Sequence, residues 1–264
     1  MHRFFVPPSW VRGTEVTITG LQAHQITRVL RMQPGDAVIV LDNSGWEIEV
    51  RLVTVEPAVV KGEVLHRRLA SGEPRTKISL YQGVLKSNRF ELVLQKGTEL
   101  GVVQFVPIIA DRCVVSDLDA VERKSQRWEW IIQEAAEQCR RGRKPALHPA
   151  VLFPQACEQA RHSGGLSLIP WEEERAVSVR DLLRSGAVAP GAGSAELSPS
   201  GPARWPPFTI HLFVGPEGGF TVEEITIARR YGLVPVTLGR RILRAETAGL
   251  VATTAILYEL GDLG

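Results

Sequence analysis

The chain has 264 residues, 44% of them apolar and 23% charged, the balance of an ordinary globular protein of one or two domains. Thirty-one Lys and Arg against 29 Asp and Glu leave a net charge of +2, so overall charge names no partner and any nucleic-acid contact must come from a local basic patch. Cys113, Cys139 and Cys157 form no CxxC pair, no apolar run nears the ~18 residues of a membrane span, and the start MHRFFVPPSW lacks the apolar stretch of a secretory signal; no disulfide framework and a reducing cytoplasm are expected.

The first 70 residues read as short strands joined by turns. VTITG (16–20) alternates β-branched residues, a short helix spans about 22–31, and the turn Pro34-Gly35-Asp36 leads into the apolar run AVIVLD (37–42). Asn43-Ser44-Gly45 then turns the chain into the alternating strand WEIEVRLVTVE (46–56). The pattern predicts a small β-barrel-like domain over 1–72, closed by the linker Ala70–Arg75. From 73 to 264 the texture changes to strands alternating with helices: KISLYQGV (77–84), a helix at about 87–100, VVQFVPIIA (102–110), and a helix at about 121–139 striped with Trp128, Ile131, Ile132, Ala135, Ala136 and Cys139. TIHLFVG (209–215), a helix at about 221–231, VPVTLG (234–239) and a last helix at about 245–260 complete an α/β fold on a mostly parallel sheet. A Gly/Ser/Pro/Ala-rich stretch at about 184–207 is expected to be a flexible insertion.

Two segments carry the chemistry. In FVGPEGGFTVEE (213–224) a strand enters a Gly-rich turn and then a helix capped by Thr221 with Glu224. No Gly-Lys-Ser/Thr follows, the spacing is not GxGxxG, and Glu217 repels a pyrophosphate, so a ligand without phosphates fits better. LGRRILRAETA (238–248) is a second strand-loop-helix, its apolar Ile242 and Leu243 flanked by Arg240, Arg241 and Arg244. Two such loops at strand ends make an apolar slot with exposed backbone polar groups, suited to adenine. EQCRRGRKP (137–145) sets Arg140, Arg141, Arg143 and Lys144 at a helix end. The helix dipole calls for one or two such charges, so a phosphate-contacting patch is the favoured reading. The six histidines have no metal-ligand spacing, and no metal is expected.

GPEGGFT (215–221) and LGRRILRAETA (238–248) resemble the signature of the RsmE family of 16S ribosomal RNA methyltransferases, which belong to the SPOUT class. MHRFFV, HQITRVLRMQPGD (24–36), KSNRFELVLQKGTELGV (86–102) and RWEWIIQEAAEQCRR (127–141) resemble further blocks of the family in the same order, over nearly the whole chain. Gly97 and Cys139 depart from it, standing where alanine and serine are expected. The resemblance implies an N-terminal PUA-like RNA-binding barrel (1–72) and a SPOUT-type α/β domain (73–264) with a C-terminal trefoil knot, a topology that general rules of chain connectivity argue against. It also implies a homodimer and S-adenosylmethionine as methyl donor, with methylation at N3 of a uridine in the decoding region of the small-subunit RNA.

On that basis the donor is expected on Val214, Gly215, Pro216, Glu217, Gly218 and Gly219 of one loop and on Leu238, Gly239, Arg241, Ile242 and Leu243 of the other. RNA is expected on Arg140, Arg141, Arg143 and Lys144 with Arg3, Arg28, Arg31 and Lys86. Methyl transfer to N3 needs cations beside the uracil oxygens and an acceptor for the N3 proton. Arg244 and Glu246 are the candidates, with Arg241 and Glu217 as alternatives. The last helix, apolar on almost every side, predicts burial against a second copy. The competing readings are a non-catalytic RNA-binding protein of the same fold and a dinucleotide-dependent enzyme.

Overall fold

The computed structural model describes residues 1–115, 117–185 and 209–263; residues 186–207 of the predicted insertion lie outside the described residues. The chain divides into two compact units, Met1–Glu73 with Ile132–Lys144, and Pro74–Ile131 with Pro145–Gly264.

In the first unit β1 (Arg3–Phe5), β2 (Val11–Arg12), β3 (Glu15–Thr19), β4 (Ala37–Leu41), β5 (Trp46–Val55) and β6 (Val59–Leu69) form one sheet in the order β1-β4-β5-β6-β3-β2. Every ladder is antiparallel except β1 on β4. Register shifts between β5 and β6 increase the local twist and curl the sheet into a half-barrel. Inside it, alternate residues such as Val38, Val40, Ile48, Val50 and Leu52 pack with Phe4, Ile18 and Ile26. Ile26 comes from α1 (Gly20–His24) and the wider helical turn Gln25–Val29 that continues it, over the span expected at 22–31. Strand β6 carries no clear alternation, because its outer half is exposed and polar, and it is specified by pairing along β5.

The second unit is built on parallel strands. β7 (Lys77–Gly83), β8 (Gln104–Ile109), β9 (Ala146–Leu147), β10 (Val151–Leu152), β11 (Leu166–Pro170), β12 (Thr209–Val214) and β13 (Val234–Val236) run β10-β8-β7-β12-β11-β13, with β9 beside β8. The central strands β7 and β12 are buried along almost their whole length, which is why they read as continuous apolar runs. The connecting helices are α2 (Arg89–Leu100), α3 (Leu118–Glu122), α4 (Ser125–Gln138), α5 (Phe153–Ser163), α6 (Val179–Arg184), α7 (Val222–Arg230) and α8 (Ala245–Glu259). The single helix expected at 121–139 is two helices broken at 123–124, with Trp128, Ile132, Ala135 and Ala136 of the predicted stripe buried. From Ile132 onward α4 belongs to the first unit. There Ala136 packs with Phe5, Ile39 and Leu41, and Glu137 accepts the Phe5 N–H at 2.9 Å.

Helix α8 packs on α2, α6 and β12 through Gly249, Ala252, Ile256 and Leu257. It is not buried all round: Val251, Ala255 and Tyr258 form an exposed face, Tyr258 at 69%. No helix among the described residues is long and apolar enough to cross a membrane.

Candidate active site

All ladders of the second unit are parallel, so the loops after β11, β12 and β13 leave from one edge of the sheet. Ligands of open α/β sheets bind at such carboxyl ends. The loop after β12 turns back on a hydrogen bond from the Gly219 N–H to the Pro216 carbonyl, 2.9 Å, with Gly219 at φ +69°, a conformation glycine adopts freely. Its far end is tied by the predicted capping box: the Glu224 N–H donates to Thr221 Oγ1 at 3.1 Å, and the Thr221 N–H to Glu224 Oε2 at 2.9 Å. Glu224 is buried, and its other oxygen accepts the Asp111 N–H at 2.9 Å, fastening this turn to the loop after β8. At Gly83, which ends β7, an added Cβ would stand 2.5 Å from the Pro216 nitrogen, so only glycine lets the two backbones approach.

The loop after β13 runs from Thr237 through Arg244, which caps α8. The two Gly-bearing loops face one cavity of about 310 Å³. Strands β12 and β13 are not neighbours, however; β11 lies between them, and the loop after it adds Trp171, Glu172 and Arg175 as a third wall. These three were not anticipated. The available signal was weak: the turn Gly164-Gly165 and the five-residue run LSLIP before an acidic stretch.

Of the residues expected to hold the donor, those at 214–217, Gly219, Leu238, Gly239, Arg241, Ile242 and Leu243 line this cavity, as does Arg244. Gly218 does not: an added Cβ would meet the Arg112 side chain at 2.8 Å, and its carbonyl accepts from Arg112 Nη1 at 2.9 Å, so it braces the turn from outside. Glu246 does not line the cavity either. It sits one residue into α8, 12% exposed, with Oε1 3.8 Å from Arg89 Nε and Oε2 buried without a hydrogen-bond partner. The cavity combines apolar side chains, backbone polar groups and arginines at its mouth, as a dry slot for an uncharged ring beside a reacting centre requires. In the core, burial pushes the Cys157 thiol and the Tyr81 phenol each up to about 12.

The residues expected on RNA separate into two groups. In the first unit Arg28, Arg31 and Arg140 are exposed, Arg143 is exposed but donates to the Ser44 carbonyl at 2.8 Å, and Lys144 is half-buried. Arg141 is 2% exposed, and its Nε and Nη2 grip Glu73 at 3.4 and 3.1 Å, which takes it away from any phosphate. Arg3 is mostly buried against Glu47, its pKa lowered by burial and by the neighbouring Arg140 and Arg68. Both are structural ion pairs, formed because carboxylates distant in sequence come within reach. Lys86, in the second unit, is exposed.

Residues 72–257 match the model of the RNA methyltransferase domain family. The ribosomal RNA small subunit methyltransferase E of Bacillus subtilis is 30% identical over 263 residues, covering 98% of this chain and 97% of that one. The chain belongs to the ribosomal RNA small subunit methyltransferase E family. Its fold is accordingly the SPOUT-type knotted α/β domain with a small N-terminal barrel-like subdomain. The crystal structure of the Neisseria gonorrhoeae family member, bound to S-adenosyl methionine, has a TM-score of 0.80 and 31% identity and covers 98% of this chain and 97% of its own. A methyltransferase from Legionella pneumophila, also in complex with S-adenosyl methionine, has a TM-score of 0.78 at 29% identity, covering 97% of this chain and 96% of its own.

Proposed function

We propose that this protein transfers a methyl group from S-adenosylmethionine to N3 of one uridine in the decoding region of 16S ribosomal RNA, in the small ribosomal subunit. The observation that carries the proposal is the cavity between the two Gly-bearing loops, in a chain that aligns end to end with relatives whose structures hold that donor. S-adenosylmethionine supplies an electrophilic methyl group on a cationic sulfur. Backbone groups of Gly215 and Gly239 and the apolar Leu238 and Leu243 suit the adenosine portion. Arg244 and Arg241 line the cavity, and a cation there would stabilise the negative charge that spreads to the uracil oxygens during the transfer.

The first unit, residues 1–73 with 132–144, is assigned to RNA binding, and the second unit to methyl transfer. The exposed Arg28, Arg31, Arg140 and Arg143 support an RNA-contacting first unit. A homodimer is proposed through α8, whose exposed Val251, Ala255 and Tyr258 would be covered by a second copy. We place its work in the cytoplasm, where ribosomal subunits are the substrate. The test is incubation with labelled S-adenosylmethionine and unmodified small subunits, followed by mapping of the modified base. Label at N3 of a single uridine is expected; RNA binding without methyl incorporation would leave the non-catalytic reading standing. Sedimentation at micromolar concentration tests the dimer, and a fully active monomer refutes its requirement.

A further inference from the structure

Glu172, Glu173 and Glu174 are consecutive in the loop after β11, and the fold gives them three different settings. Glu174 builds the loop: its Oε1 accepts the Arg175, Ala176 and Val177 N–H groups at 2.9, 2.7 and 3.3 Å. Glu173 is exposed and does not line the cavity. Glu172 does line it. Its Oε2 and Oε1 stand 3.1 and 3.4 Å from where a Cβ on Gly219 would be, so the carboxylate lies over the bare backbone of the Gly-rich turn. Both ends of the loop are pinned to the end of β13: the Trp171 N–H donates to the Val236 carbonyl at 3.0 Å, and the Thr237 N–H to the Val177 carbonyl at 2.8 Å. Glu172 is thus carried on a braced loop, which lowers the ordering cost of a contact to a ligand.

The cavity has two carboxylates, and their partners differ. Glu217 accepts the Lys86 N–H at 3.0 Å and has Arg89 Nη1 3.6 Å from the same oxygen. Glu172 has no hydrogen-bond or ion-pair partner among the described residues. An ionised carboxylate only accepts, at about four lone-pair positions, and here all of them face solvent or a ligand. Backbone groups and apolar side chains of the two Gly-bearing loops suit adenine, and Arg175, Arg240, Arg241 and Arg244 suit the carboxylate of the methionine portion. The ribose remains, with two neighbouring hydroxyl donors that a single carboxylate can take together. An acidic residue holds the ribose of dinucleotides in other α/β sheets for the same reason. Resting on the methyl-transfer reading, we propose that Glu172 is the ribose-binding residue for the methyl donor, accepting hydrogen bonds from its 2′- and 3′-hydroxyls. It thereby selects a ribonucleoside and fixes the sugar against the Gly-rich turn.

The test is calorimetry on the full chain without RNA, using S-adenosylmethionine, S-adenosylhomocysteine, the 2′-deoxy analogue of the latter, and 5′-methylthioadenosine. Glu172→Ala is expected to raise Kd about tenfold or more, the scale of hydrogen bonds to a charged group, and by a similar factor for S-adenosylmethionine, S-adenosylhomocysteine and 5′-methylthioadenosine, which share the ribose. Glu172→Gln, which keeps one acceptor oxygen, loses less. Wild type should prefer S-adenosylhomocysteine to its 2′-deoxy analogue about tenfold, and Glu172→Ala should bind the two within about twofold, because both changes remove the same contact. A Kd within twofold of wild type in Glu172→Ala overturns the proposal, as does a preference for ribose that survives the substitution. A loss seen with S-adenosylmethionine alone overturns it by assigning Glu172 to the sulfonium charge. A loss absent with 5′-methylthioadenosine overturns it by assigning Glu172 to the ammonium group. Failure of the wild-type chain to bind either S-adenosylmethionine or S-adenosylhomocysteine is a separate result: it overturns the underlying reading, and this proposal with it.

Discussion

Two short segments carry nearly the same charge and do different things. Arg140-Arg141-Gly142-Arg143-Lys144 and Arg240-Arg241-Ile242-Leu243-Arg244 are each a basic cluster within five residues. In the first, a carboxylate is waiting: Glu73 accepts from the Arg141 side chain and from the Gly142 and Arg143 N–H groups at 3.1 and 3.0 Å, so it closes the turn as a clamp. In the second, Arg240, Arg241 and Arg244 stay exposed around a cavity, beside an Ile242 that is 81% exposed. The difference teaches that local charge density measures opportunity only. What an arginine does is decided by whether the fold delivers an acid to it, since a desolvated pair locks the side chain and a solvated one leaves it available.

The largest expected effect tests the buried side of that contrast. Arg141→Ala removes one half of a buried ion pair and should destabilise the protein by about 3–5 kcal/mol, read as a lowered denaturation midpoint. Unchanged stability with weakened RNA binding would instead return Arg141 to the RNA surface.

The second unit has its own clamp. Asp262 accepts the Arg75 and Thr76 N–H groups at 3.1 and 2.8 Å and ties the end of the chain to the start of β7. Asp262→Ala leaves the buried Thr76 N–H without its acceptor and should lower stability by about 2 kcal/mol. Burial pushes the Asp262 carboxyl up, but hydrogen bonds from Thr76 and Arg75 outweigh it and hold it below the ordinary value. Its contribution is therefore full above the unfolded value of about 3.9 and is lost as pH falls through the lowered one. Urea titrations of wild type and variant should differ near neutrality and converge in strong acid; a gap that widens on acidification reverses the sign.

Among the cavity loops, Gly219→Val forces a side chain onto φ +69° and toward Glu172, whose Oε2 is 3.1 Å from an added Cβ. Donor affinity should fall at least about tenfold, or about 1.4 kcal/mol, by calorimetry. Gly218→Val, which presses on Arg112 outside the cavity, should weaken the donor less; the reverse ranking breaks the placement of the slot.

The smallest effect sharpens the exposed side. Arg241→Ala should change stability by less than about 0.5 kcal/mol. If Arg241 meets a phosphate, RNA affinity falls and the slope of log affinity against log salt shallows by about 0.7–0.9. An unmoved slope leaves it to the donor or the uracil.

Much of this was legible in the chain before folding. The capped turn at 215–224, the strand cores at 37–42 and 77–84, and the Trp128–Ile132–Ala136 stripe all appear where periodicity and turn chemistry placed them. Such signals act between residues a few positions apart, so the sequence alone determines them. The tertiary structure decided three other matters: that β11 stands between β12 and β13 and adds a third wall, that Arg141 belongs to Glu73, and that Arg89 reaches Glu217 and Glu246. Each depends on partners scores of residues away, and neither hydrophobic period nor charge count records which strand lies beside which. The apolar character of α8 is plain in its sequence, but which of its faces is covered depends on α2 and α6. A helix's own residues specify what it can bury, and only its neighbours specify what it does bury.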